Sequence, residues 1–259
     1  MNVYEMCERL KWHYRKLKQT TFHKWDQAIK PIAERQVRHI DDDVALEYLE
    51  ENLKTVSEST VKNRLNTLTG LWRKAYKKKI YKGENPWLDL DDGIEIAKRE
   101  PEFYPWEYYE FFHNDPYFVC LWYTGMRISE LAGIYPKNIR TDGPIWYFDL
   151  VEQANRGLKN KSSVRKVPIH PACKPYIDQL FFSKAKRPGT AWCDRFRRDM
   201  GLDTWNAAHT LRHNFVTRMN DLNVSGRIIS SILGHGAKSH TDDYGIVKLQ
   251  TKYEAICKL

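Results

Sequence analysis

The sequence lacks the features that mark several common classes of protein. Its five cysteines, at positions 7, 120, 173, 193 and 257, form no Cys-x-x-Cys pair and no regular framework, which argues against a zinc ribbon and a disulfide scaffold. No apolar run approaches the length of a membrane span, and the first residues, MNVYEMCERLKWHYR, are too charged for a signal peptide. We therefore expect reduced thiols in a soluble, cytoplasmic protein that has no membrane partner.

Acidic residues are missing from one long stretch. Residues 62–82 contain none, although the whole chain has 33 Asp and Glu beside 42 Lys and Arg, with a net charge of +9. A uniformly solvated surface would mix the two signs, so this clustering indicates a polyanionic partner such as nucleic acid. The candidate DNA-binding residues are Lys62, Arg64, Arg73, Lys74, Lys77, Lys78 and Lys79.

Helical periodicity dominates the first third of the chain. Weak patterns cover residues 2–17 and 22–33, and one of Asp41, Asp42 and Asp43 can cap a third helix. The longest pattern opens at Ser57 or Ser59, with the basic cluster on one side and an apolar stripe on the other. The stripe consists of Val61, Leu65, Leu68, Leu71, Trp72 and Ala75. We predict a helical DNA-binding domain over residues 1–86 and a linker, rich in Pro, Gly and acid, over 87–104.

The remaining residues, 105–259, combine helical and strand patterns. Helical patterns cover residues 116–132, 175–182, 190–200 and the tail, and strand patterns cover 145–151 and 164–169. The first of these helices breaks at Thr124-Gly125, and the two strands predict a β-hairpin. In the tail, Tyr253, Ile256 and Leu259 share one side of a short helix. The predicted fold class is mainly α with a small antiparallel sheet in the second domain (α+β).

The residues that can carry chemistry concentrate near the end of the chain. His209 and Arg212 stand three apart on a predicted helix, so both project from one face. A planar guanidinium suits phosphate, and a histidine beside it can transfer a proton near neutral pH. A second helix ends at Gly234, His235 follows it, and Tyr244 stands nine residues beyond that histidine. These residues predict a phosphate-binding pocket and a tyrosine that can act as a nucleophile.

Each of these residues also fits a purely structural interpretation. His209 and His213 have the spacing of zinc ligands, but Thr210 stands where the metalloprotease signature requires a glutamate. His235 can be a plain helix cap, and Tyr244 is one of 15 tyrosines. Taken one at a time, the structural interpretations are favoured. The joint occurrence of all these residues is what indicates a site.

The order and spacing of these residues match a known family. Arg127-Ile-Ser-Glu130, His209-x-x-Arg212-His, Leu-Gly-His235 and the later Tyr244 resemble the motifs of the tyrosine recombinases, or phage-type integrases. The resemblance implies that Arg127 and Arg212 hold a scissile phosphate, with Glu130 supporting the first arginine. It implies that Tyr244 attacks this phosphate to give a 3′-phosphotyrosyl link, with His209 as the base. His235 would then donate a hydrogen bond to a non-bridging oxygen.

The family also uses a hairpin lysine to protonate the leaving 5′-oxygen. The pattern Lys-x-Lys-Ser-Ser-x-Arg-x-Val-Pro aligns best with that lysine at Lys159, and Lys161 is its competitor. The resemblance implies no metal and no cofactor, since phosphoryl transfer depends chiefly on positioned charges. It implies double-stranded DNA with a specific core site as partner, and a homotetramer on DNA that is a monomer in solution.

Further expectations concern the ends of the chain and the alternatives. The sequence is expected to have no room for the amino-terminal arm-binding domain that many phage integrases carry. In the family the carboxy-terminal tail docks on a neighbouring subunit, although packing of the tail on its own domain fits the sequence equally well. A type IB topoisomerase or telomere resolvase would use the same attack, but the compact layout favours a recombinase. A DNA-binding accessory protein with an unused site ranks last, because competent residues fill every recognised position.

Overall fold

The computed structural model describes residues 1–96, 104, 107–153, 161–181, 188–201, 207–235 and 246–259. The chain divides into two compact units, Met1–Arg99 and Glu100–Leu259. The first unit contains the helices α1 Val3–His13, α2 Gln19–Ile29, α3 Asp42–Thr55 and α4 Glu58–Lys77. The second contains α5 Glu107–Phe112, α6 Pro116–Thr124, α7 Ile128–Leu131, α8 Pro188–Asp199, α9 Ala207–Asp221, α10 Gly226–Leu233 and α11 Leu249–Ile256. Its strands are β1 Ile139–Asp142, β2 Ile145–Leu150 and β3 Arg165–Pro168. In the described ranges, no helix is long and apolar enough to cross a membrane.

The first unit is built around α4. The apolar stripe predicted for this helix is confirmed, since all six of its residues are buried, and α1, α2 and α3 pack against α4. Asn2 and Asp41 begin α1 and α3 by accepting hydrogen bonds from the backbone N–H groups of Glu5 and Val44, at 2.8 and 3.0 Å. These caps satisfy backbone donors that a helix start leaves unpaired.

Residues predicted as linker contribute to the core of the first unit. Trp87 is 1% exposed and lies edge-to-face against Tyr48 and Trp72, with ring centroids 5.2 and 5.5 Å apart. Ile94 belongs to the same core. Pro, Gly and acidic residues indicate irregular backbone, but irregular backbone can still bury an indole. Trp87 and Ile94 therefore belong to the core of the first unit, and the boundary of the linker stays a prediction.

The second unit packs a three-stranded antiparallel sheet, in the order β1-β2-β3, against helices. Both predicted strands are present as β2 and β3, with Leu150 opposite Arg165. Strand β1 was not predicted, because its Ile-Arg-Thr-Asp sequence is short and largely exposed. Strand β3 contacts α10 and α11, while α6 packs on α9. This arrangement brings the ends of α6, α10 and β3 towards one another.

The break predicted at Thr124-Gly125 is confirmed, and Gly125 explains why it occurs there. Gly125 ends α6 in the left-handed conformation, with φ at +58°. A Cβ atom at this position would lie 2.5 Å from Cδ1 of Phe215 and 2.8 Å from Cδ2 of Leu233. The absence of a side chain therefore allows both the left-handed turn and the close approach of α9 and α10. Arg127 follows as the N-cap of α7.

Two further predictions for this unit had different outcomes. The helical pattern over residues 175–182 corresponds to 3-10 helices, Pro171–Tyr176 and Asp178–Phe181, and not to an α-helix. Pro175 inside this segment has no N–H to donate and its ring disfavours a continuous α-helix. The tail does form a helix, α11, and this helix packs on its own unit with Ala255 and Ile256 in the core.

Candidate active site

Arg212 lies where the ends of α6 and α10 meet. Its side chain is buried, with Nη1 donating to the carbonyl oxygen of Gly125 at 2.6 Å and Nη2 to that of Leu233 at 2.8 Å. The last carbonyls of a helix lack partners within the helix, and a cation there also interacts favourably with the helix dipole. The guanidinium of Arg212, which is carried by α9, thus binds the carboxy-terminal ends of both α6 and α10.

Arg127 starts α7, two residues after the Gly125 carbonyl that Arg212 binds. Its Nη1 donates to Oε1 of Glu130 at 2.7 Å, and its backbone N–H donates to Oε2 at 3.0 Å. Glu130 is 3% exposed and also accepts from Nη1 and Nη2 of Arg165, at 3.1 and 2.9 Å. The pair formed by Arg127 and Glu130 is therefore part of a buried network and not a simple surface pair.

These charged groups act on one another electrostatically. Burial lowers the pKa of Arg212 to about 10, and the positive charges of Arg127 and Arg165 lower it as well, while Glu130 raises it. Burial raises the pKa of Glu130, but the hydrogen bonds and charge of Arg165, together with those of Arg127, outweigh it and leave the pKa below its usual value. Three guanidiniums around one carboxylate leave a surplus of positive charge. Such a surplus in a poorly solvated place suits a phosphate group under attack.

His235 joins this group directly after α10. Gly234 ends the helix in the left-handed conformation, with φ at +70°, and the backbone N–H of His235 donates to the carbonyl oxygen of Ser230 at 3.1 Å. The exposed ring places Nε2 3.0 Å from Nη2 of Arg212. Because a guanidinium can only donate, this contact is a hydrogen bond when Nε2 accepts, which is the tautomer that has its proton on Nδ1.

His209 lies one turn before Arg212 on α9. It is exposed, whereas Arg212 is buried, and its ring lies edge-to-face against His213 with centroids 4.7 Å apart. Helix α9 thus carries a buried cation at Arg212 and an accessible imidazole one turn earlier, and their convergence on one phosphate stays a prediction. Among the described residues, no three His, Cys, Asp or Glu side chains come together as metal ligands.

Two predicted site residues, Lys159 and Tyr244, lie outside the described residues. Lys161 is the first residue of a 3-10 turn, Lys161–Ser163. For Lys161 the structure describes the backbone and not the side chain. Arg165 was not predicted to belong to the site. The feature of the sequence that could have identified it is the pattern Arg-x-Val-Pro, in which an arginine opens a strand. The structure shows that Val167 and Pro168 of this strand are buried. A buried arginine requires a partner, but the sequence does not show that the partner is Glu130.

The seven cations predicted to bind DNA differ in their exposure and in their contacts within the first unit. Lys62 lies 3.6 Å from a carboxylate oxygen of Asp91, and Arg64 donates to the side-chain oxygen of Asn52. The ammonium of Lys74 lies 6.0 Å from the centroids of two aromatic rings. The exposed members of the predicted cluster are Arg73, Lys77, Lys78 and Lys79. Lys62, Arg64 and Lys74 thus have contacts within their own unit, and DNA binding by the seven cations stays a prediction.

A comparison with protein families decides which group the chain belongs to. The model of the phage integrase family matches residues 112–250, which is more than half of the chain. The chain belongs to the phage integrase family. The matched range contains Arg127, Glu130, Arg165, Arg212 and His235, the residues that the structure brings together.

Curated relatives of the chain carry the name tyrosine recombinase. That of Thermosipho africanus is 29% identical over 149 residues, covering 54% of this chain and 51% of that protein. Tyrosine recombinase XerA of Pyrococcus furiosus is 27% identical over 153 residues, covering 53% and 51%. The match therefore spans about half the length of these two relatives. The tyrosine recombinase of Pseudothermotoga lettingae is 26% identical over 245 residues, covering 84% and 83%.

Solved structures of integrases share the fold over nearly the whole chain. The Tn1549 transposon integrase in complex with circular intermediate DNA has a TM-score of 0.74 at 17% identity, with 97% of each chain covered. The lambda integrase dimer bound to a COC′ core site has a TM-score of 0.67 at 15% identity, with 96% of this chain and 100% of that chain covered. These likenesses confirm the predicted fold class.

Proposed function

We propose that the chain is a site-specific DNA recombinase that cleaves and rejoins double-stranded DNA through a 3′-phosphotyrosyl intermediate. The observation that carries this proposal is the shared environment of Arg127 and Arg212. Arg212 binds the carbonyl of Gly125, two residues before Arg127, and the positive charge of Arg127 helps to lower the pKa of Arg212. Two guanidiniums from separate motifs therefore belong to one charged cluster, which His235 joins through Arg212.

The proposed reaction is a pair of phosphoryl transfers. The phenol oxygen of Tyr244 attacks the scissile phosphorus, a bond to the tyrosine forms, and the bond to the 5′-oxygen breaks. His209 accepts the phenol proton, Lys159 or Lys161 donates a proton to the leaving 5′-oxygen, and the developing charge on the non-bridging oxygens is stabilised by Arg127 and Arg212. Attack by a 5′-hydroxyl then reverses the step without ATP, because the covalent link conserves the bond energy.

The proposal extends to domains, partners and assembly. We assign core-site binding to the helical domain over residues 1–86, where exposed cations of α4 can neutralise phosphates, and strand transfer to residues 105–259. The lambda integrase tetramer bound to a Holliday junction, with a TM-score of 0.66, supports a homotetramer on DNA and a junction intermediate. We assign a monomer in solution, and action on double-stranded DNA in the cytoplasm at a specific core site.

A nicked suicide duplex tests the proposal. In such a duplex the short cleaved fragment diffuses away, so that a covalent protein–DNA adduct accumulates. The probe is drawn from the DNA on either side of the coding sequence, because integrases of this family are commonly encoded beside their attachment sites. Wild-type protein is expected to form an adduct that resists denaturation, and Tyr244→Phe is expected to form none.

Two outcomes would count against this function. Tight and specific binding without an adduct would indicate an accessory DNA-binding protein. Equal adduct formation on duplexes of unrelated sequence would indicate a topoisomerase-like enzyme that does not recognise a core site. A duplex with the flanking sequence scrambled is the matched control for the second outcome.

A further inference from the structure

Arg165 is a buried arginine that the reaction as described does not use. It is the first residue of β3, is 8% exposed, and has its guanidinium directed to three parts of the second unit. Its Nε donates to the carbonyl oxygen of Ile232 at 2.6 Å, and its Nη1 donates to that of Ser163 at 3.0 Å. The remaining bonds go to Glu130 through Nη1 and Nη2. A buried guanidinium bonded in this way has little freedom to move.

The carboxylate of Glu130 is shared between Arg165 and Arg127. Oε1 accepts from Nη1 of Arg127 at 2.7 Å and from Nη1 of Arg165 at 3.1 Å. Oε2 accepts from the backbone N–H of Arg127 at 3.0 Å and from Nη2 of Arg165 at 2.9 Å. The planar fork of Arg165 thus fixes the plane of the carboxylate, and that plane sets where Arg127 can bind it.

The end of α10 holds Arg165 in place. The consecutive carbonyls of Ile232 and Leu233 accept from Arg165 and Arg212 respectively, so one helix end binds both buried guanidiniums. A Cβ atom added to Gly234 would lie 2.8 Å from Nη1 of Arg165. This close approach shows that the backbone at Gly234 packs directly against the side chain of Arg165.

We propose that Arg165 is a positioning residue that aligns Arg127 with the scissile phosphate by fixing the carboxylate of Glu130. The inference rests on the proposed function, since it concerns the same phosphoryl transfer. Arg165 itself is too buried to touch DNA, whereas the side chain of Arg127 is 23% exposed. Loss of Arg165 should therefore slow cleavage and leave DNA binding nearly unchanged.

The test compares single-turnover cleavage of two suicide duplexes that differ at the scissile phosphate. One carries the normal phosphodiester, and the other a methylphosphonate, in which a methyl group replaces one charged oxygen. An arginine that neutralises charge contributes less to the reaction of the uncharged group. A defect transmitted through Arg127 should therefore shrink on the methylphosphonate, whereas a general loss of packing would slow both reactions equally.

We expect Arg165→Met to slow cleavage of the phosphodiester by about 100-fold, the cost of a small misplacement of a catalytic group. On the methylphosphonate we expect this factor to fall below about 10-fold, with the affinity for uncleaved DNA changed by less than about 3-fold. Arg165→Lys keeps the charge but loses the fork, so an intermediate defect is expected. The double variant Glu130→Gln/Arg165→Met should be no slower than the slower single variant, because both residues act through one carboxylate.

The controls separate this inference from the function itself. Arg218→Met removes another partly buried arginine, one that binds the carbonyl oxygen of Trp122 at 3.3 Å, and it should cleave like the wild type. If Arg165→Met does not fold, as judged by circular dichroism, Arg165→Lys decides the outcome. Equal defects on both duplexes, or wild-type rates, would overturn the role of Arg165 alone. An absence of cleavage by the wild-type protein would instead contradict the proposed function.

Discussion

Lys252 should make the stability of the second unit depend on pH in an unusual direction. This lysine of α11 is 8% exposed, and its ammonium donates to the carbonyl oxygens of Ser231 and Lys166, at 3.3 and 3.4 Å. Burial, together with a smaller effect of the positive charge of Arg165, lowers its pKa from 10.5 to about 8. Above pH 8 the folded chain therefore loses a proton that the unfolded chain still holds.

The size and sign of the effect follow from this difference in pKa. Where the unfolded state binds more protons than the folded state, the free energy of unfolding rises with pH. Between pH 7 and pH 9.5 the contribution of Lys252 should rise by about 2 kcal/mol, since each pKa unit is worth about 1.4 kcal/mol. The gain is complete above the pKa of 10.5 in the unfolded chain and is lost as the pH falls through about 8.

Urea denaturation at the two pH values, with wild type and Lys252→Met, measures this contribution. The wild type should gain about 2 kcal/mol more than the variant between pH 7 and pH 9.5, because methionine cannot titrate. Lys258→Met, which removes an exposed lysine from the same tail, should behave like the wild type. Equal pH dependence in wild type and Lys252→Met would refute the reasoning.

Three further predictions concern packing and DNA binding. Gly125→Ala should lower the free energy of unfolding by about 2 kcal/mol or more through backbone strain and overpacking, and an unchanged melting temperature would contradict the role of this turn. Alanine at all three of residues 77–79 should weaken DNA binding and flatten its salt dependence by about 0.9 in log–log slope for each phosphate that is no longer neutralised. Lys62→Ala should leave that slope unchanged, because the ammonium of Lys62 already pairs with Asp91. Equal slopes for Lys62→Ala and for the triple alanine variant would be inconsistent with this account. Trp87→Ala should lower the free energy of unfolding, measured by urea denaturation, by about 3–5 kcal/mol. A loss below about 1 kcal/mol would contradict the place of this residue in the core of the first unit.

Much of the fold could be predicted because its signals are local. The stripe on α4 repeats at helical spacing, so periodicity alone identified its buried residues. Gly125 and Gly234 mark helix ends because glycine readily adopts the left-handed conformation that these ends require. The motif residues Arg127, Arg212 and His235 were identified by their order and spacing, and the structure brings them to one place.

The features that were missed depend on interactions between distant residues. Arg165 and Glu130 are 35 positions apart, and no local pattern indicates that one neutralises the other. Burial of Trp87 depends on how α3 and α4 pack, while the surrounding composition favours a loop. For Lys62, neighbouring charge predicts a DNA-binding role, and the same pattern does not reveal the additional partner Asp91 within the chain. Tertiary packing decided each of these cases.

Mass spectrometry of the trapped adduct tests the central claim most directly. After digestion of the protein and the DNA, the account predicts a nucleotide attached through its 3′-phosphate to the peptide that contains Tyr244, with a 5′-hydroxyl on the released fragment. A link to any other residue, or a link through a 5′-phosphate, would contradict the account.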